Sequence, residues 1–286
     1  MVATRLIFVS GKGGTGKSAV AAGLAITRAR GGESVLALDM AVSPGLATHL
    51  GSKRLGYKPI EVRDGLFAMS VNRAAALDEY LKLQLRVPQG APTKQIAGVL
   101  NLLADTAPGV REIISVGKPV HETWKGTWDT VVVDAPSLGQ FRSYLRAPKT
   151  IAELVSTGNV RRQARALEET LHDSAVTSIV FVTNPAELPI NETVESIDIM
   201  RTESLGPRPT IVMNRLLPAG LIDPDQLDAL PPGPVRDAAE LQTRLEAEQA
   251  MWVEAIDAAW SLPYLRGILT PHEISLQLSD AMGPVE

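Results

Sequence analysis

Residues 11–18 read GKGGTGKS, which fits the pattern G-x-x-x-x-G-K-[ST] of a P-loop. The apolar run Leu6–Val9 comes before this stretch, and an alanine-rich segment with a helical pattern, 18–30, comes after it. The motif therefore stands in the strand–loop–helix context that it needs to bind phosphate. A glycine-rich turn with an incidental lysine is the alternative, and the combination of strand, spacing and helix favours the P-loop.

The chemistry of this loop predicts a nucleotide site. Its glycines leave the backbone N–H groups open to a polyphosphate, and the helix start adds positive dipole character. Lys17 can reach the β- and γ-phosphates and Ser18 can ligate Mg²⁺, so the expected cofactors are ATP or ADP and Mg²⁺. The predicted nucleotide-binding residues of this stretch are Gly11, Lys12, Gly13, Gly14, Thr15, Gly16, Lys17, Ser18 and Ala19.

Strand and helix patterns alternate along the chain, which predicts an α/β fold with a doubly wound, mostly parallel sheet. Several strands are unbroken apolar runs, which is typical of strands buried on both faces. We expect one domain over 1–286 with a mainly helical insert at about 78–119. The predicted strands are Arg5–Ser10, Ser34–Asp39, Leu66–Val71, Thr130–Asp134, Ser178–Thr183 and Thr210–Asn214. The predicted helices are Ser18–Arg30, Ala74–Arg86, Gln95–Leu103, Val160–His172, Glu192–Ser204 and Arg236–Trp260.

A second nucleotide element is Val131–Asp134, an apolar strand that ends in an aspartate. Beside a P-loop this is the Walker-B arrangement, in which the carboxylate holds Mg²⁺. A helix-cap or turn aspartate is the alternative, but a P-loop needs such a carboxylate, and among the predicted strand ends only Asp39 offers another. Ser18 and Asp134 are therefore the predicted metal ligands, and 136–139 is predicted to form a switch loop.

Composition and charge narrow the class of protein. The 286 residues carry a formal net charge of −4 and contain no cysteine. We therefore expect no nucleic-acid partner, and disulfides, thiol catalysis and Cys-type zinc sites are excluded. The first predicted strand begins without a signal peptide before it, and no apolar run is long enough to span a bilayer. These features predict a cytoplasmic protein.

The position of Lys12, directly after the first glycine, resembles the deviant P-loop of the ParA, MinD and arsenical-pump ATPases. The resemblance implies that this lysine of one subunit reaches the nucleotide of the other subunit, so that nucleotide binding is coupled to dimer geometry. A solvated lysine is the alternative.

Further segments resemble the arsenical-pump ATPase and the related ATPase that targets tail-anchored membrane proteins, with the small bacterial members fitting best. They occur in the family's order and are Ala107–Glu112 (a helix start), Asp134–Gly139 (switch II), Val212–Arg215 (the adenine-binding strand) and Leu262–Leu265 (a loop over the base). The resemblance implies that Asn214 recognises adenine, with Arg215 and Pro263 beside it. It also implies that the helical insert forms a groove for an apolar client helix, although a buried core insert fits the same composition.

Switch I departs from the family's pattern. Counting from Val35 places Ala41 where the family has the aspartate that orients the attacking water, and Asp39 lies two residues earlier at the strand end. Asp39 is a candidate to help hold Mg²⁺ or water, and with Lys12 and Lys17 it completes the candidate catalytic set. The replacement by Ala41 predicts slow hydrolysis.

Two other departures concern metals and assembly. The Cys-x-x-Cys of the intersubunit zinc site and the arsenite-sensing cysteines are missing, so neither zinc nor arsenite activation is expected. The chain has one P-loop, so its second nucleotide half must come from another polypeptide, either a second copy or a paralogue.

Two classes of function remain open. One is a dimeric, Mg²⁺- and ATP-driven switch that changes what the helical insert exposes to an apolar client helix or a membrane-protein partner. The other is a nucleotide-binding, hydrolytically weak regulatory subunit that pairs with an active paralogue. A kinase or small-molecule ligase is a distant third, because the sequence shows no second substrate site.

Overall fold

The computed structural model describes residues 6–40, 45–84 and 109–283. In these ranges the strands are β1 (Leu6–Gly11), β2 (Val35–Asp39), β3 (Ile60–Arg63), β4 (Leu66–Ser70), β5 (Thr130–Ser137), β6 (Thr177–Thr183), β7 (Thr210–Leu216) and β8 (Trp260–Pro263). They form one sheet in the order β3-β4-β2-β5-β1-β6-β7-β8, in which every neighbouring pair is parallel except β3 and β4. The expected doubly wound, mostly parallel α/β fold is confirmed.

Helices cover both faces of this sheet. They are α1 (Lys17–Arg30), α2 (Leu46–His49), α3 (Arg73–Gln84), α4 (Val110–Trp124), α5 (Leu138–Leu154), α6 (Asn159–His172), α7 (Glu187–Glu203), α8 (Pro224–Ala229), α9 (Pro234–Glu254) and α10 (Pro271–Met282). None of these helices is long and apolar enough to cross a membrane.

Two apolar layers hold the helices against the sheet. Successive side chains of a strand point to opposite faces, so Ile7 and Val9 of β1 pack into a core with α1 and α10, whereas Leu6 and Phe8 pack into a second core with α4, α5 and α6. The strand β1 is buried along its whole length. This double coverage explains why the central strands read as unbroken apolar runs.

Two predictions about element boundaries are corrected, and two strands are additional to the predicted ones. The helix predicted as Arg236–Trp260 ends at Glu254, and Trp260 instead opens the edge strand β8. The strand β5 continues through Ser137 and α5 begins at Leu138, so Gly139 of the predicted switch loop is helical. The strands β3 and β8 were not expected.

The helical insert lies only partly inside the described residues. Its predicted start falls in α3 and its predicted end falls in α4, while the predicted helix Gln95–Leu103 lies outside the described ranges. The single-domain organisation and the insert therefore stay predictions.

A buried ionic cluster joins α3 to α4. The ammonium group of Lys118, whose side chain is 6% exposed, lies 2.7 Å from Glu79 Oε2 on α3 and 2.7 Å from Glu122 Oε1 on α4. The same ammonium group lies 4.6 Å from the centre of the Tyr57 ring. Since a buried charge needs its partners, this cluster should fix the relative positions of the two helices.

Replacing Lys118 with methionine is expected to lower the free energy of unfolding by about 3 kcal/mol, because the buried carboxylate of Glu122 loses its ion pair with Lys118. Equilibrium urea denaturation measures this loss. The control is Lys125→Met: the Lys125 side chain is 40% exposed, and its ion pair with Glu122 should be worth less than about 1 kcal/mol. Equal losses in the two variants would contradict the structural role of Lys118.

Candidate functional site

The P-loop connects the buried end of β1 to the first turn of α1. An added Cβ at Gly11 would overlap the carbonyl oxygen of Val182 on β6, and one at Gly16 would overlap the side-chain amide of Asn214 on β7. Gly16 also adopts a left-handed conformation, with φ of 95°, and caps the helix. Both positions therefore need glycine, because the backbone of β6 and the Asn214 side chain of β7 close around the loop.

Lys17, the candidate phosphate-binding lysine, turns its side chain back onto the P-loop. Lys17 Nζ donates a hydrogen bond of 3.1 Å to the carbonyl oxygen of Lys12, which also accepts a 2.9 Å bond from the Thr15 hydroxyl. Burial lowers the pKa of Lys17, and the charge of Asp134 opposes that shift. The ammonium group thus spans the loop that is expected to hold the phosphates.

Two carboxylates lie side by side at the carboxyl end of the sheet. Asp39 ends β2 and pairs in register with Asp134 of β5, and the two residues are 1% and 0% exposed. Burial raises the pKa of Asp134 to about 7; the charge of Asp39 adds to this shift, while the Ser18 hydroxyl and Lys17 oppose it. The sequence predicted both strand ends, and the structure brings them together next to the P-loop.

The donor set here fits a divalent cation. Neither carboxylate oxygen of Asp134 makes a hydrogen bond of good geometry to any described residue, although both are shielded from solvent. A buried, unsatisfied carboxylate next to a second carboxylate and a hydroxyl is costly without a cation, and oxygen ligands are those that Mg²⁺ prefers. Ser18 and Asp134 would hold the ion, and Asp39 lies close enough to contribute charge.

The chain before and after 41–44 lies against this candidate metal site. The backbone N–H of Met40 donates to the carbonyl oxygen of Asp134 at 3.0 Å, and an added Cβ at Gly45 would come within 3.0 Å of the Ser18 hydroxyl. Ala41, the predicted switch I replacement, itself lies outside the described residues.

The predicted base-binding residues lie at the ends of the last two strands. The Asn214 side chain is buried and its Nδ2 donates a 2.8 Å hydrogen bond to the Thr15 carbonyl oxygen of the P-loop. Arg215 is exposed and adopts a left-handed conformation with φ of 61°. The next residue, Leu216, pairs with the exposed Pro263 on β8. The structure therefore brings Asn214, Arg215 and Pro263 to neighbouring strand ends, and Asn214 contacts the loop.

Two residues at the loop were missed by the sequence reasoning. Asn184 follows β6, and with its amide nitrogen turned toward the loop it donates to the carbonyl oxygens of Thr15 at 3.2 Å and Thr183 at 3.1 Å. Asn184 follows a predicted strand, so its position could have marked it as a residue near the P-loop, as for Asn214. Glu192 on α7 forms an ion pair with Lys12, and no local pattern marked it.

Replacing Asn214 with alanine is expected to weaken ATP binding by about 1–3 kcal/mol, because a buried amide that contacts the loop or the base loses its hydrogen bonds. Calorimetric titration with ATP and with GTP distinguishes contact with the adenine base from contact with the loop. A larger loss for ATP than for GTP indicates contact with adenine, whereas equal losses indicate that Asn214 only supports Thr15. Unchanged affinity for both nucleotides would remove Asn214 from the site.

The family model for anion-transporting ATPases, ArsA_ATPase, matches residues 4–165, which is more than half of the chain. This match contains the P-loop, Asp39 and Asp134.

Curated relatives extend the similarity. The chain is 32% identical to ATPase BagA of Mycobacterium tuberculosis over 229 residues, which are 76% of this chain and 66% of that protein. It is 27% identical to ATPase get3 of Schizosaccharomyces japonicus over 152 residues, 52% of this chain and 46% of that protein. It is 27% identical to ATPase GET3 of Chaetomium globosum over 155 residues, 53% of this chain and 45% of that protein. The chain thus spans less than two thirds of the length of these relatives. The ordered motifs, the sheet and the family match lead to one conclusion: this chain belongs to the ArsA family of anion-transporting ATPases.

Proposed function

We propose that this chain binds and hydrolyses Mg²⁺–ATP and that it works as a dimer whose geometry depends on the bound nucleotide. The observation that carries the proposal is the buried pair of Asp39 and Asp134 beside Lys17 and Ser18. A metal ion bound there would neutralise charge that develops on the phosphates.

The residues of the loop would act on the phosphates directly. Lys17 would exchange its bond to the Lys12 carbonyl oxygen for the phosphate oxygens, which are stronger acceptors for an ammonium group. The backbone N–H groups of 13–18 would surround the rest of the phosphate chain. Ser18 and Asp134 would hold the ion, and Asp39 would hold water or the ion next to it.

Lys12 supports the dimer part of the proposal. Its side chain leaves the loop to pair with Glu192 on α7 and is 28% exposed, so it is not used by the loop of its own subunit. In the family that the chain resembles, a lysine at this position completes the site of the other subunit. ATP between two subunits would then close the dimer, and hydrolysis or release of ADP would open it.

A regulatory subunit is the second candidate. Ala41 stands where a water-orienting aspartate is expected, which favours slow hydrolysis and a partner that supplies the missing group. The partner would be a second copy in the first candidate and an active paralogue in the second.

The client and the compartment are part of the same proposal. The insert between α3 and α4 would take an apolar helix, for example from a membrane protein, when the dimer changes shape. We propose a cytoplasmic location without a zinc or nucleic-acid requirement.

Comparing Lys12→Ala with Lys17→Ala tests the dimer. Lys17→Ala should weaken ATP binding in the isolated monomer, because it removes a direct phosphate contact. Lys12→Ala should leave monomer binding within about threefold of the wild type, a difference under about 0.7 kcal/mol, while it reduces ATP-dependent dimerisation and turnover. Calorimetry on dilute protein and sedimentation with ATP measure the two effects. If both variants lose monomer binding equally, the intersubunit role of Lys12 is wrong.

A further inference from the structure

The ion pair between Lys12 and Glu192 connects the P-loop to a helix far along the chain. Glu192 lies in the second turn of α7, and 180 residues separate it from Lys12 in the sequence. The side chains are 28% and 43% exposed, so the pair lies at the surface beside the nucleotide loop. Among the described residues, Glu192 is the one hydrogen-bond or ion-pair partner of the Lys12 ammonium group.

The pair holds Lys12 within its own subunit. The neighbouring Lys17 bonds to the Lys12 carbonyl oxygen, so the backbone of Lys12 is tied to its own loop while its side chain is tied to α7. While this pair is formed, the Lys12 ammonium group faces its own subunit and not a nucleotide on another chain.

We propose that Glu192 is a positioning residue that retains Lys12 in the nucleotide-free subunit and releases it when a second subunit brings in its bound triphosphate. This inference rests on the proposed dimer function and adds its regulation. The triphosphate carries more negative charge than one carboxylate, so it competes for the ammonium group once the two subunits meet. Glu192 would thereby oppose association without ATP.

The exposure of the pair sets the size of the effect. Exposed ion pairs are weak and are screened by salt. Losing the pair should therefore tighten ATP-dependent association by about twofold to fivefold at low salt and much less at high salt. A contact of this strength can be exchanged easily, as a reversible switch requires.

Glu192→Gln is the test variant, because it removes the charge and keeps the shape. Glu195→Gln is the matched control. Glu195 is exposed on the same helix about one turn further on, and its replacement by glutamine changes the net charge by the same amount. If Glu192 acted only by repelling phosphate at a distance, the two variants would behave similarly.

The first measurement uses the nucleotide-free monomer and does not depend on the dimer. The acylation rate of Lys12 by an amine-reactive ester, followed by peptide mass spectrometry, should rise at least about twofold in Glu192→Gln and stay at the wild-type value in Glu195→Gln. Equal rates in all three proteins would show that Glu192 does not hold Lys12 in solution, which overturns the proposal.

The second measurement is the dissociation constant of self-association by sedimentation with Mg²⁺ and a non-hydrolysable ATP analogue. Glu192→Gln should associate more tightly than the wild type and Glu195→Gln, but the same change in a Lys12→Ala background should have no effect. An equal gain without Lys12 would overturn the proposal, because the effect would then not pass through Lys12.

The two proposals fail in different ways. If the wild type dimerises with the analogue and Glu192→Gln has the same dissociation constant, the role of Glu192 is overturned and the proposed dimer stands. A wild type that stays monomeric with the analogue overturns the proposed dimer and, with it, the regulatory role of Glu192.

Discussion

Replacing Asp134 with asparagine is expected to abolish most Mg²⁺-dependent ATP turnover and, at the same time, to stabilise the nucleotide-free fold above neutral pH. Turnover should fall by about 10²- to 10⁴-fold, because the metal contributes several kcal/mol and each 1.36 kcal/mol is a factor of ten in rate. Phosphate release under saturating ATP and Mg²⁺ measures the loss. Turnover within threefold of the wild type would show that Asp134 does not hold the metal.

The gain in stability follows from the burial of Asp134. Its pKa rises from 3.8 to about 7 in the folded chain, so the folded state binds more protons than the unfolded state between these values. Stability therefore falls as pH rises from about 4 to 7, by on the order of 4 kcal/mol at most, and then levels off.

Asparagine removes this pH-dependent cost but leaves a buried amide that costs about 1–3 kcal/mol. We expect a net gain of about 1–3 kcal/mol at pH 8 and little or no net gain at pH 5, where the cost removed is only about 1–2 kcal/mol, measured by urea denaturation without nucleotide. A variant that is less stable than the wild type at pH 8 would contradict the assigned burial cost.

Replacing Ala41 with aspartate is expected to raise ATP turnover by about 10²- to 10⁴-fold with little change in nucleotide affinity, since it restores a group that orients the attacking water. Met40 and Gly45, on either side of 41–44, lie against Asp134 and Ser18, so the described ends of this segment border the candidate metal site. Turnover and calorimetric titration measure the two quantities.

Ala41→Asn is the control, because it has a similar size but is a poor proton acceptor, and it should stay near the wild-type rate. A wild type that already turns over briskly would mean that Asp39 or a residue of the other subunit performs this role. The regulatory-subunit candidate would then be wrong.

The sequence by itself was sufficient for the fold class, and it supplied the residues proposed for the centre of the site. The P-loop predicted β1 and α1 because strand, loop and helix signals are local, and the apolar runs predicted β2, β5, β6 and β7 because strands covered on both faces exclude polar residues. Asp39 and Asp134 could each be assigned to a strand end, and the structure pairs them because the carboxyl ends of parallel strands meet at one edge of a sheet.

The edge strands show where local signals fail. The strands β3 and β8 have four residues each and are mostly not buried, so their sequences have no apolar run to recognise. Trp260 continued a helical pattern in the sequence, yet it forms a strand, because β7 offers an unpaired edge that only the assembled sheet provides.

The tertiary structure alone decided which distant side chains contact the P-loop, including the bond of Asn214 to the loop itself, where the family resemblance implied only contact with the base. Asn214 bonds to Thr15 across 199 residues, and Glu192 pairs with Lys12 across 180 residues. Periodicity and motif spacing report which residues share a strand, a helix or a loop, because these depend on neighbours in sequence. A contact between the partly exposed Glu192 and a loop lysine depends instead on how α7 packs after β6, and this is set by the shape of the whole core.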